Sequence, residues 1–249
     1  MKSFGWKPDH PDFRDFKYGV KVPELVEEPP VKYLICPPNK DQLSIGSCVF
    51  NGVTSAMEST DIELRDLLQD YSRLYAYYKY RESEGIPINY DSGASIRDAI
   101  KLIAKEGVCL ESLWGYSLEN FTRKPSVVAE QDAPNHKILE YFALETVKDM
   151  TQCIASGWGF VCGISCYESF DSDYTEKTGK VLLPQSNEKW LGGHCMYFWG
   201  YDTHLFDDKG GFHFSNSYGV EWGNKGRGTI PFEYLGNKRL ASDFWTIRK

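Results

Sequence analysis

The feature that most constrains the fold is a change of hydrophobic period part-way along the chain. Between Cys48 and Gly107, apolar residues recur at helical spacing. The segment "CVFNGVTSAMESTDIELRDLL" reads as a helix, although Gly52 weakens its middle. "SRLYAYYKYRES" (72–83) is a second helix, with Ser72 placed to cap it. "SIRDAIKLIAKEG" (95–107) is the clearest of the three. Ile96, Ala99, Ile100 and Ile103 make one stripe, Ser95 caps it and Gly107 ends it.

Past residue 136 the pattern changes. "HKILEYFALE" reads as a strand and "VKDMTQCIASG" as a short helix closed by Gly157. The runs "GFVCGISCYESF", "GKVLLP", "GGHCMYFWGYD", "GGFHFSNS" and "GRGTIPF" follow, separated by Gly and Asx turns as antiparallel strands are. A helical first part and a β-rich second part predict an α+β fold of two lobes with a cleft between them. Its expected bounds are a helical lobe over about 45–125 and a β-rich lobe over about 126–249. Ahead of residue 39 lie seven of the 12 prolines, each of which interrupts regular structure. Residues 1–30 therefore read as an extended N-terminal arm or short propeptide-like leader before a domain spanning 31–249.

A net charge of −7, with no block of basic residues, argues against nucleic acid or an anionic membrane as partner. No stretch approaches the roughly 18 apolar residues of a membrane span, and "MKSFGWKPDHPDFRDF" has no apolar signal region. The expectation is a soluble protein, monomeric, in the cytoplasm or another reducing compartment. Seven cysteines, an odd number, do not suggest a disulfide scaffold. Cys162, Cys166 and the pair His194-Cys195 lack the second ligand pair of a zinc site, so neither metal nor other cofactor is expected.

In "DQLSIGSCVFNGVTSAMES" a polar, turn-prone run stops at Cys48 and a helix begins. A thiol at a helix N-terminus meets unpaired N–H groups and a dipole that favour thiolate, the nucleophilic form. Activation is completed by an imidazole. Of five histidines, His10 lies in the arm, His136 in a connection and His204 in a turn. His213 reads as a strand histidine between two phenylalanines. His194, behind Gly192 and Gly193 at the mouth of an apolar strand, is the best placed, and Asn216 in "FSNSYGVEWGNKGRG" is positioned to orient its ring.

Together, "DQLSIGSC", "LGGHC" and "FSNSYGVEWGNKGRG" resemble the papain-like cysteine peptidases, over about residue 30 to the C-terminus. In that family the His and Asn partners lie far downstream of the nucleophile; here His194 is 146 residues after Cys48 and Asn216 another 22 on. Gln42 matches the glutamine six positions before the nucleophile that donates to the oxyanion. The departures are Ile45 where familiar members have a disulfide-bonded Cys, Val49 for a Trp, and Tyr218 for the first Trp of the later motif. They place the chain nearer the disulfide-poor microbial and viral branches.

The resemblance implies a cysteine endopeptidase acting on a peptide or protein substrate through a thioester acyl-enzyme. Cys48 is the nucleophile, His194 the base, Asn216 the orienting residue, and Gln42 an oxyanion donor. It also implies that Gly93 offers backbone hydrogen bonds to an extended substrate. Ala94, Ser95, Gly192 and Gly193 line a side-chain pocket, and Trp222 shields the His–Asn pair. An arm lying along the cleft would make the chain a zymogen. The alternatives are an acyl-transfer enzyme on the same scaffold or a catalytically silent peptide-binding protein.

Overall fold

The computed structural model describes residues 4–21 and 28–249; residues 1–3 and 22–27 of the expected arm lie outside the described residues. Helix α1 (Cys48–Arg65) runs through the middle of the molecule, with every residue from Cys48 to Asp61 buried. That burial includes two carboxylates, and each has a cation. Lys40 Nζ lies 3.0 Å from Glu58, and Lys249 Nζ lies 2.6 Å from Asp61. A buried charge without such a partner is costly, which pins both the pre-helix loop and the C-terminus to α1.

Helix α2 (Arg73–Ser83) is capped by the Ser72 hydroxyl, which accepts from the Tyr75 N–H. Helix α3 (Ile96–Glu106) is capped by Ser95 and stopped by Gly107 at φ 85°. Its expected stripe of Ile96, Ala99, Ile100 and Ile103 is fully buried against α1 and α2. The short helix α4 (Val127–Asp132) closes this lobe.

The second lobe is an antiparallel sheet. Strands β1 (Val31–Tyr33), β2 (Glu140–Leu144), β3 (Phe160–Tyr167), β4 (Trp190–Asp202), β5 (Gly211–Ser215), β6 (Arg227–Pro231) and β7 (Ala241–Arg248) are ordered β2-β7-β3-β4-β5-β6. β1 pairs with the end of β4, Val31 opposite Asp202. Helix α5 (Val147–Ala155) covers one face, entered through a reciprocal Thr146–Asp149 capping box.

One expectation changes. "GKVLLP" supplies a single bridge, Lys180 to Thr229, instead of a strand. The C-terminal strand β7 lacks a clean period of two, because its register shifts and Asp243 adopts φ 58°. The weak point in α1 also finds its reason. A Cβ on Gly52 would sit 3.1 Å from Cys195 Sγ, so glycine lets the helix lie close on β4. That contact sets Cys48, at the head of α1, against β4, where the Cys195 backbone hydrogen-bonds its sulfur. No helix among the described residues is long and apolar enough to cross a membrane.

Candidate active site

Cys48 is the first residue of α1. Ser47, at the cap position, makes no capping bond; its hydroxyl instead pairs with the Tyr116 hydroxyl at 2.6 Å. No side-chain cap therefore competes at the helix start beside the sulfur. The preceding loop is held from both sides. Gln42 N–H donates to Ser217 O at 2.8 Å, and Gly46 N–H donates to Asp91 Oδ2 at 2.8 Å. Asp91 also accepts from Tyr77, whose hydroxyl oxygen takes the Gly93 N–H.

His194 is fully buried on β4, opposite Ile164 of β3. Its Nε2 lies 2.8 Å from Asn216 Oδ1, which also accepts the Ser217 N–H at 2.8 Å. An amide oxygen only accepts, so in this arrangement Nε2 carries the ring proton and the neutral ring keeps its lone pair on Nδ1. Ser217 extends the chain of contacts. Its hydroxyl donates to Gln42 Oε1 at 2.5 Å, while Gln42 Nε2 donates to Ile45 O at 2.8 Å. Gln42, His194 and Asn216, scattered over the sequence, are thus gathered in one buried cluster joined by a residue that the sequence reading left out, Ser217. The Cys48 sulfur takes a backbone hydrogen bond from Cys195, the neighbour of His194.

Over this cluster lies the N-terminal arm. Gly5 O accepts from Ala94 N–H at 2.8 Å, and Lys7 N–H donates to Ala94 O at 2.9 Å. These two bonds make a parallel bridge between Trp6 and Ala94, and on its other side Trp6 N–H donates to Gly193 O at 3.0 Å. The fit is close. A Cβ on Gly5 would come within 1.9 Å of Gly46 O, and one on Gly93 within 2.1 Å of Gly5 O. The Trp6 ring lies against Gly163 and Gly193, where a Cβ would meet it at 1.9 and 2.6 Å. Phe4 covers Gly192 and stands edge-on to His194.

No family model matches the chain. A curated "uncharacterized peptidase C1-like protein" of Acanthamoeba polyphaga mimivirus is 36% identical over 220 residues, 84% of this chain and 69% of the relative. The chain belongs to the papain-like C1 cysteine peptidases. Xylellain, a cysteine protease from Xylella fastidiosa, superposes with a TM-score of 0.90 at 34% identity over 100% of this chain and 96% of its own. Bromelain from Ananas comosus, solved with the inhibitor E64, shares the fold at TM-score 0.66 and 14% identity, over 88% of this chain and 99% of its own.

In this peptidase the Cys48 thiol has no exposed surface. Burial pushes it up to about 11, opposed in part by backbone hydrogen bonds from Cys195, Gly5 and Val49. With the arm in place the sulfur is therefore a covered thiol, not a thiolate, and the arm's own backbone touches it.

Other expected residues are placed as follows. Ala94 presents both its N–H and C=O to the arm, whereas the Gly93 N–H is spent on Tyr77. The Ser95 side chain is occupied as the α3 cap and by Asp98. Gly192 and Gly193 lie under Phe4 and Trp6. Trp222 packs on Phe170, Tyr218 and Phe214, and the ring stacked on His194 is Tyr218, at 4.7 Å and 21°. Phe170, tilted against His194 at 5.9 Å, carried no signal because nothing in "CYESFDS" marks it.

The remaining histidines have local roles. His213 packs between Tyr33 and Trp199, and burial depresses its proton affinity. His204 bonds Asp202 and His136 faces Asp132. All seven cysteines are free of disulfides.

Proposed function

We propose that this peptidase is an endopeptidase using Cys48, His194 and Asn216, closed by its own N-terminal arm. The observation that carries the reading is the convergence of Cys48 at a helix start with the His194–Asn216 pair and Gln42. Once the sulfur is uncovered, His194 Nδ1 takes its proton. The thiolate attacks the scissile carbonyl, and the oxyanion is met by the Gln42 amide and the Cys48 backbone N–H. The imidazolium returns its proton to the leaving amine, leaving a thioester. Water, deprotonated by His194, then releases the acid. Asn216 holds the ring in the required tautomer, and Ser217 holds Gln42.

Closure by the arm is supported by where Gly5 sits. Its backbone hydrogen-bonds to the sulfur, while its carbonyl is engaged by Ala94. The arm thereby fills the substrate path without offering its own carbonyl to the oxyanion donors. Seven cysteines outside disulfides support a reducing working compartment.

The test is intact mass with an epoxysuccinyl inhibitor on the full chain and on a chain beginning at Lys17. That truncation keeps Tyr18, which is 2% exposed in the second core. One adduct on Cys48, fast in the truncated chain, slow in the full one and absent in Cys48→Ala, is expected. Equal labelling of both chains would refute closure; no labelling of either would refute the catalytic assignment.

A further inference from the structure

Downstream of Trp6 the arm is fastened by carboxyl groups that face one another. Asp243, on β7, accepts the Trp6 indole N–H at 3.1 Å and the Asp9 backbone N–H at 2.8 Å, both on Oδ2. Asp9, on the arm, accepts the Arg97 N–H on Oδ1 at 3.1 Å and the Trp245 indole N–H on Oδ2 at 2.8 Å. Both oxygens of Asp9 thus receive donors, whereas on Asp243 the two arm N–H groups share one oxygen. The cation at the site, Arg97, is turned to other arm partners, Asp15 Oδ2 at 2.6 Å and His10 O. Asp98 adds negative charge beside Asp9. The Tyr80 hydroxyl lies near Asp9, and the Cys162 and Cys195 thiols lie behind Asp243. All three are neutral in their ordinary state, so nothing on α2, β3 or β4 offsets the carboxylates.

We propose that Asp9 and Asp243 form a proton-held latch, so that the docked arm retains one shared proton and the arm is released as pH rises. The inference rests on the closure reading above for its functional consequence, but the docked geometry stands without it. Burial raises Asp9 too, but the donors on both its oxygens and the nearby Arg97 oppose this, so within the pair Asp9 carries the charge and Asp243 the proton. Asp243 Oδ1 holds the proton while Oδ2 goes on accepting from the arm.

Burial, and next the Asp9 charge, push Asp243 up to about 6 in the docked state. With the arm away, Asp9 is gone and the carboxyl faces the open cleft, which returns it toward the usual value near 4. Docking therefore takes up a proton. Its affinity is greatest below about pH 4, declines between the two values, and is lowest above about 6. A shift of this size corresponds to a roughly 10- to 100-fold change in the docking equilibrium.

The test is hydrogen–deuterium exchange of the Trp6, Lys7 and Ala94 amides from pH 5 to 8, as protection factors corrected for intrinsic chemistry. Protection in the intact chain is expected to fall about 10-fold or more across this range. Asp243→Asn should flatten the profile, and Asp9→Asn, which removes the second cause of the shift but not burial, should make it shallower. His10→Gln, which removes the arm's single imidazole, should leave it sloped. Asp9→Asn alters only the arm and so reports even if Asp243→Asn does not fold. A flat profile in the intact chain, or wild-type slopes in both Asn variants, would overturn the latch. Sloped protection together with identical Cys48 labelling of full and truncated chains would leave the latch standing and remove the closure reading instead.

Discussion

The two ends of the arm are held by opposite kinds of chemistry. Over the nucleophile, at Phe4 to Trp6, the contacts are backbone pairs and rings on glycines, and the one carboxyl among them is Asp243, which accepts the Trp6 indole N–H. From Asp9 to Asp15 they are carboxyl groups around Arg97. The first end gives close-fitting exclusion of water from the sulfur. The second gives adhesion that a proton can alter. If the proposed closure and latch hold, the fit over the sulfur shuts the peptidase and the carboxyl pair opens it.

The largest effect expected at the first end is chemical. Cys48→Ala in the truncated chain should lower peptide hydrolysis by about 10⁴-fold or more, read as kcat/KM. A smaller loss would break the claim that this end hides the nucleophile. Next come variants that spoil only the fit. Trp6→Ala should cost the docked arm about 3 kcal/mol of buried contact and raise the rate of Cys48 alkylation by about 100-fold. Gly5→Ala should do likewise, because its Cβ has no room against Gly46 O. The pH midpoint of Cys48 alkylation, about 11 with the arm docked, should fall in both. An unmoved midpoint would mean that burial by the arm is not what holds the thiol neutral.

At the second end, Arg97→Gln removes the cation from Asp15 and His10 O. It should loosen the arm by about 1–3 kcal/mol, seen as faster exchange at Trp6 with Cys48 chemistry unchanged in the truncated chain. The smallest effect is Ser217→Ala, which deletes one hydroxyl contact to Gln42. A fall of several-fold in kcat with unchanged KM, about 1 kcal/mol, is expected.

Much of the site was legible because its residues must be chemically specific. The proposed chemistry calls for a thiol, an imidazole and a carboxamide at positions 48, 194 and 216, and local patterns flag them: a loop-to-helix junction, paired glycines, a strand end. Helix α3 was equally plain, since stripe, cap and stop agree. Strand β7 was not, because a register shift and a left-handed Asp243 destroy the alternation on which strands are recognised.

By itself the sequence marked a helical and a β-rich part, a thiol and an imidazole suited to the proposed chemistry, and a proline-broken arm, in which the short helix Tyr18–Lys21 nonetheless forms. Tertiary structure alone decided where that arm lies. Gly5 meets the Cys48 sulfur 43 positions away, and Asp9 meets Asp243 across 234. No periodicity links such pairs; they become neighbours only because α1 packs on β4 through Gly52 and β7 enters the sheet beside β3. Ser217 and Tyr218 illustrate the same limit, since a hydroxyl and a ring become a brace and a cover only when the fold sets Gln42 and His194 against them.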